Sequence, residues 1–286
     1  MVDLSHARMD RAHALCPGLF RSLGPGDRKR LKLDITYDYG NGEKLEFWGR
    51  EPLGVLDMRV FQGLVAMAGP DGRVLQNSET ADDTGQRLLA LLYEPAEAEI
   101  RNAVLKPRSV EVRDSLRRLA REIGVAEDGT SLRLVKQAIE RLFGVTVMVR
   151  IGGKSLGSRL LSFYQSDDET GSLRVSLNPR LAQAIIGGGP HARIDLIEAR
   201  ALSSDPARLI HQRLSAFVDP GKSREVSAET LAGYVWPDAA DTPRTARSRI
   251  TKVRKAVDEI RTAAGWNITK TGPDKWRFIR PRLLNA

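Results

Sequence analysis

The sequence predicts an α+β, helix-rich fold built from two tandem winged-helix domains, each a helix-turn-helix followed by a β-hairpin wing. Three observations lead there. Helix-like and strand-like hydrophobic periodicities alternate along the 286 residues. The order helix, turn, helix, two short strands occurs twice. Positive charge collects in the second occurrence. Residues 1–30 read as an N-terminal tail, 31–186 as the first winged-helix domain with a β-hairpin at its front, and 187–286 as the second.

The first domain opens on a hairpin at Lys32–Gly49, where Asn41-Gly42 separates two β-rich runs. Pro52 is expected to open a helix striped by Leu56, Val60, Leu64 and Met67, and Gly69-Pro70 to end it. A second amphipathic stretch, GQRLLALLYE, follows an acidic loop. Ser109–Arg113 alternates like a short strand. Asp114 is the expected N-cap of SLRRLAREI, and Gly124 its stop. The next helix, SLRLVKQAIERLF, carries Leu132, Val135, Ile139 and Leu142 on one face. VTVMVRI and GSRLLSFYQ, joined by GGKSL, form the first wing.

In the second domain, Gly187–Pro190 reads as a hinge, and Asp205-Pro206 as the cap and first residue of a helix. REVS is a short strand, and Ser227 caps AETLAGYVW. Thr242-Pro243 starts a long helix that runs to Gly265. WNITK and KWRFIR, joined by TGPD, make the second wing.

Composition narrows the function. With 41% hydrophobic and 28% charged residues, the chain is globular. No run of about 18 apolar residues exists to span a bilayer. The first residues lack an apolar core and a small-residue cleavage site, and Cys16 is the single cysteine. A cytoplasmic protein without disulfides is expected. Net charge is +9, and Lys222–Ala286 holds 14 Lys/Arg against 7 Asp/Glu, so most of the excess lies in the last quarter. That concentration points to a polyanionic partner.

The helix after Thr242 gives the charge a direction. Ala246, Ile250, Val253, Val257 and Ile260 recur at helical spacing and should pack inward. Arg244, Arg247, Ser248, Thr251 and Lys255 lie opposite, with Lys252 and Arg254 at the margins, and no acid interrupts the first three turns. About 20 helical residues span roughly 30 Å, enough to enter a major groove. Arg244, Arg247, Ser248 and Thr251 are the expected base readers. Lys252, Arg254 and Lys255 should meet phosphates, and wing residues Lys270, Lys275 and Arg277 the backbone beside the groove. The first domain offers Arg133, Lys136, Gln137 and Arg141, interrupted by Glu140, with Arg150, Lys154 and Arg159 on its wing. That face fits DNA contact or protein docking. Trp236, Trp266 and Trp276 are read as core or capping residues rather than a single-strand stacking platform.

Several signals fail. Gly153-Lys154-Ser155 lacks the P-loop's first glycine, because position 148 is Met148, and strands flank it, which excludes ATP binding there. His6, His13, His191 and His211 have no partners at zinc-ligand spacing. Asp167, Asp168 and Glu169 suit a solvated turn better than a metal cluster. No nucleophile set assembles, so neither an enzyme site nor a cofactor or metal is expected.

Several segments nevertheless resemble a known family: PGLFRSL, KLDITYDYG, EPLG followed by FQGLVAMAGPDG, RLAREIG, LNPRLAQAIIGGGPHARI, ARLIHQRLSAFVDPGK and LAGYVWP. They resemble the RepC replication initiators of IncQ-type plasmids over about Pro17 to Arg280. The resemblance implies a protein that binds direct repeats (iterons) in double-stranded DNA at a plasmid origin and promotes opening of an adjacent AT-rich segment. It also implies loading of a separate plasmid helicase, after which a plasmid primase acts. DNA contacts would then fall on Arg244–Lys255, on Arg133–Arg141 and on the two wings. A repressor binding an operator would use the same elements without opening DNA. The Lys32–Gly49 hairpin fits either a self-association edge or a lid on the first core.

Overall fold

The computed structural model describes residues 4–69, 73–76, 108–186 and 191–282. The GQRLLALLYE stretch, the acidic loop before it and the 187–190 hinge lie outside the described residues. In chain order come β1 (His6–Asp10), α1 (Arg11–Leu15), α2 (Asp27–Arg30), β2 (Leu33–Gly40), β3 (Glu43–Gly49), α3 (Val55–Met67), β4 (Arg73–Gln76) and β5 (Arg108–Ser115). Helices α4 (Leu116–Glu122) and α5 (Gly129–Phe143) precede strands β6 (Thr146–Ile151), β7 (Lys154–Arg159), β8 (Leu161–Ser166) and β9 (Ser172–Leu177). Then α6 (Pro179–Ile186), β10 (His191–Asp195) and α7 (Leu196–Ala201) lead to the last six elements. These are α8 (Asp205–Phe217), β11 (Ser223–Ser227), α9 (Ala228–Val235), α10 (Pro243–Ala263), β12 (Asn267–Gly272) and β13 (Lys275–Ile279). Sheet orders are β1-β10, β2-β3-β6-β7, β4-β5-β9-β8 and β11-β13-β12, all antiparallel.

The N-terminal residues are not a tail. Ala7 and Met9 are buried opposite Ile194 and Ala192, so β1 completes a sheet with a strand that follows the whole first half. Leu19 and Phe20 are buried too, and backbone bonds from Arg21 to Leu53 and from Ser22 to Val235 stitch this segment to both halves. The charged and histidine residues between its apolar positions hide a short alternation of period two.

The expected hairpin forms, with Asn41 (φ 53°) and Gly42 (φ 75°) in the left-handed region that its two-residue turn needs. Its Leu33, Leu45 and Phe47 are buried in the core, and β2 is the edge strand of its sheet. β3 pairs with β6, which merges this hairpin and the β6–β7 hairpin into one four-stranded sheet. The run GSRLLSFYQ divides at buried Leu160: β7 stays in that sheet, while β8 joins the sheet of β5 and β9.

Helix α3 is enclosed by protein on most sides rather than along one stripe. Val55, Met58, Phe61 and Val65 are buried beside the expected Val60, Leu64 and Met67, and Gly54, not Pro52, precedes its first turn. Gly63 lets α4 approach closely, because a Cβ there would lie 2.4 Å from Ile123 Cγ2 and 2.7 Å from Leu119 Cδ1. Caps shift by one residue elsewhere. Ser115, not Asp114, caps α4 by accepting from the Arg118 N–H, and Ser204, not Asp205, caps α8 by accepting from Ala207. Asp114 instead pairs with the Arg118 guanidinium at 2.7 Å.

One buried acid holds the first half together. The Asp57 side chain has no exposure; it accepts the Gly54 N–H at 2.6 Å, Arg28 Nη2 at 2.9 Å and Arg141 Nε at 2.8 Å. It thereby caps α3 and ties α2 and α5 to it. The halves meet through a buried Gln62 Nε2–H to Gln212 Oε1 bond of 2.7 Å, and their apolar residues form one cluster. Removing the acid leaves two guanidinium groups facing a dry site. Asp57→Ala is expected to cost about 3–5 kcal/mol, read as a lowered urea midpoint at unchanged m-value. A loss below about 1 kcal/mol would contradict the hub role.

Candidate nucleic-acid interface

Thr242 starts α10 by accepting the Thr245 N–H at 3.1 Å, and Pro243 takes the first helical position. Val253, Ala256, Val257 and Ile260 are buried and Ile250 half-buried. Ala246, expected inside, is exposed. Packing therefore begins only at Ile250, and the first two turns project beyond the core. Arg244, Arg247 and Ser248 are exposed on those turns, and Thr251, Lys252, Arg254 and Lys255 on the next. The Arg247 Nε donates to the Pro243 carbonyl at 3.4 Å, and the Thr251 hydroxyl to the Arg247 carbonyl at 3.1 Å.

Sequence reasoning missed Arg249, which sits beside these. Its guanidinium lies 5.6 Å from the Trp236 ring centroid and donates to the Asp238 carbonyl at 2.7 Å. Lys252 Nζ lies 5.8 Å from the same ring. Trp236 is thus a half-buried support for two cations of α10, whereas Trp266 and Trp276 belong to the core. Only the proximity of the α9 C-terminus to α10 reveals this, and sequence spacing does not encode it.

The cations divide by partner. Arg254 binds Asp274 through two nitrogens, at 2.9 and 3.0 Å, and so fastens the β12–β13 turn to α10. Lys275 and Arg277 both reach Glu225 of β11, at 2.9 and 2.6 Å. Their hydrogen bonds, Lys275 first, hold the Glu225 carboxyl below the usual glutamate range. Lys270 is exposed on β12. Among the described residues, Arg244, Arg247, Lys252 and Lys255 have no carboxylate at ion-pair distance.

The first half is more self-neutralised. Arg133 and Gln137 are exposed on α5, and Lys154 at the β6–β7 turn. Lys136 donates to both Asp168 oxygens, at 2.6 and 2.8 Å. Arg150 does the same to Glu46, at 3.0 Å for each oxygen, and Arg159 stacks 4.5 Å from the Phe143 centroid. Arg141 leaves the candidate surface altogether, since it serves Asp57 in the core. Arg117, on α4, is exposed beside Arg133 and lines the same groove.

No group of three or more His, Cys, Asp or Glu residues is arranged to hold a metal among the described residues. No described helix is long and apolar enough to cross a membrane.

The fold has counterparts among solved structures. The chain is similar in fold to domains 2 and 3 of RctB (a selenomethionine crystal structure), with a TM-score of 0.54 at 9% identity over 99% of this chain and 100% of that one. A second crystal structure of RctB domains 2–3 gives a TM-score of 0.54 at 8% identity, covering 94% and 96%. The Pi initiator protein in complex with iteron DNA matches less fully, with a TM-score of 0.46 at 14% identity over 59% of this chain and 81% of that one. No curated protein matches the chain in sequence. The family model of Replication protein C (RepC) matches residues 1–282, and the chain belongs to that family.

The fastening of the β12–β13 turn is pH-dependent. Hydrogen bonds from Arg254 hold the Asp274 carboxyl below the usual aspartate range. Folding thus favours its ionised form, and the contribution is present above the ordinary aspartate pKa and lost as pH falls through the lower folded value. Between about pH 5 and pH 2, exchange-corrected protection of the 272–275 amides should fall before that of the α10 core, and Arg254→Gln should abolish the difference. Wild-type protection that stays flat across this range would refute the fastening.

Proposed function

We propose that this replication protein grips directly repeated sites in double-stranded DNA at a plasmid origin with two winged-helix units. The observation that carries the reading is the projection of the first two turns of α10 beyond the core, with Arg244, Arg247 and Ser248 exposed and no acid in the first turn. The order α8, β11, α9, α10, β12, β13, with its β11-β13-β12 sheet, supports a winged helix in the second half. The order α3, β5, α4, α5, β6, β7 supports one in the first. There β5 belongs to a different sheet, and the wing is widened by β2 and β3. The two units correspond to residues 31–186 and 187–286, bridged by the N-terminal strand.

In this reading Arg244, Arg247, Ser248 and Thr251 read base edges, while Lys252 and Lys255 meet phosphates. Lys270 and Lys154 extend the contact along each wing, and Arg133 and Gln137 reach the groove from the first unit. Arg254, Lys275 and Arg277 contribute by fixing the wing. Two units in one chain reach groove faces about 34–36 Å apart, so one protomer covers an asymmetric repeat without a palindrome. Protomers on adjacent repeats bend the DNA and strain a neighbouring AT-rich segment, which needs no catalysis. A plasmid helicase is then recruited to the opened strand in the bacterial cytoplasm.

Footprinting on the parent plasmid's origin should give a ladder of protected direct repeats, with permanganate-reactive thymines beside it. Protection of one palindrome without melting would indicate a repressor instead. Arg247→Ala should cost about 1–3 kcal/mol on the specific site and relax preference at one base pair. Lys252→Ala should weaken specific and random DNA alike and flatten the salt slope by about one unit. Equal losses on both DNAs for both variants would dismiss this division of roles.

A further inference from the structure

A cavity of about 620 Å³ lies where the loop before α2 meets the starts of α3 and α8. Its charged lining is Arg28, Lys29, Arg59, Arg208 and Asp205. Arg28 is already matched by Asp57 and Glu51. The other three cations have no ion pair among the described residues, and Asp205 is the one remaining acid of the lining. Arg59 Nη2 donates to the Ile123 and Gly124 carbonyls at 2.5 and 2.9 Å, which occupies that nitrogen without cancelling the charge. Arg208 Nε is buried with no hydrogen-bond partner among the described residues. Burial, and then the charge of Arg208, push the Arg59 guanidinium down to about 10. Burial lowers Arg208 as well, against the pull of Asp205 and Glu259. Arg59 and Arg208 are half-buried and Lys29 is exposed beside them, and like charges gathered in this way favour an anion.

Both α3 and α8 bring their first turns to the cavity, where Asp57 already caps α3 and Glu259 accepts from Ser204 at the start of α8, so the side-chain cations carry the demand for an anion. The Gln62–Gln212 bond joins the same two helices further along, so they leave the cavity side by side. Leu23, Pro25, Val55 and Leu56 give it an apolar wall. The volume falls in the range of about 300–1,000 Å³ that suits small organic ligands.

We propose that this cavity binds a small phosphorylated anion of the nucleoside di- or triphosphate class, between the two halves of the chain. Its phosphates meet Lys29, Arg59 and the part of the Arg208 side chain that lines the cavity, and its organic part meets the apolar wall. The occupant bridges α2 and α3 to α8, and so steadies the spacing of the two DNA-contacting halves. The site is separate from the DNA-facing turns. Glu259, near the far end of α10, bonds Ser203 and Ser204 at the start of α8, roughly 24 Å along the helix axis from Pro243.

Isothermal titration of the full chain without DNA tests this with adenosine triphosphate and inorganic triphosphate as probes. One molecule per chain is expected, with about ten-fold or greater weakening by Lys29→Gln and by Arg208→Gln. Lys255→Gln, on the DNA-facing side of α10, should leave that affinity within about two-fold. Tighter binding of adenosine triphosphate assigns the site to nucleotides, and equal binding assigns it to free polyphosphate. Because Lys29 is exposed, its variant decides the matter even if Arg208→Gln unfolds. Absence of binding would overturn the proposal, as would a loss that follows Lys255 instead. So would a drop in origin-DNA affinity for Lys29→Gln without triphosphate, since the cavity would then be a DNA phosphate contact.

Discussion

A carboxylate that cannot reach water sets the frame of the first half. Asp57 stands in the first turn of α3, and a charge there is tolerated only with donors aimed at it. Gly54, Arg28 and Arg141 supply them. Arg28 precedes the hairpin and Arg141 ends α5, so one side chain draws three distant stretches to one point. The seat of α5 then decides where its exposed face points. The chain leaving α5 enters β6, and β6 carries β3 and its hairpin with it. The sheet that follows α5 has four strands because the β6–β7 hairpin takes in the β2–β3 hairpin.

The surface cations sort by what lies beside them. Arg254, Lys275 and Arg277 have acids within the same small sheet-and-helix unit, so their charge is partly cancelled and their geometry held. Exposed pairs of this kind add little stability, about 0–1 kcal/mol each. Their effect is directional: they keep the β12–β13 turn against α10. Arg244, Arg247, Lys252 and Lys255 have no such acid among the described residues, and they lie on a helix whose first two turns hold no buried residue. A protein that shields its scaffold cations and leaves its helix cations open presents its field where a polyanion can approach.

Local features were legible in sequence wherever the backbone chemistry is local. Asn41-Gly42, Ser227, Thr242-Pro243 and the two helix-helix-hairpin runs all act within a few residues, and the structure has them. The N-terminal strand was missed because its partner, β10, lies some 185 residues away and only five residues alternate. Arg141 was misread because helical periodicity puts it on the outer face of α5, while the partner that recovers it belongs to another helix. Ala246 fits the inward stripe by spacing, yet periodicity cannot say where along a helix the core ends. Arg249 fell between faces, and only the approach of Trp236 gives it a role.

The long-range ties that sequence could not display also bear on how two units could act as one. A flexible linker would let each half find its own groove, and the second contact would gain only the effective concentration that the linker permits. Here the halves share one apolar cluster, a buried Gln62–Gln212 bond, and a strand pair in which β1 precedes the first half and β10 follows it. Such a junction sets the relative orientation of α5 and α10 before any DNA arrives. In the proposed two-unit grip, it would remove most of the ordering cost of the second contact and restrict binding to sites whose two halves have the matching phase. In that proposed grip, rigidity at the junction would be a source of specificity in its own right, alongside the base contacts proposed for the first turns of α10.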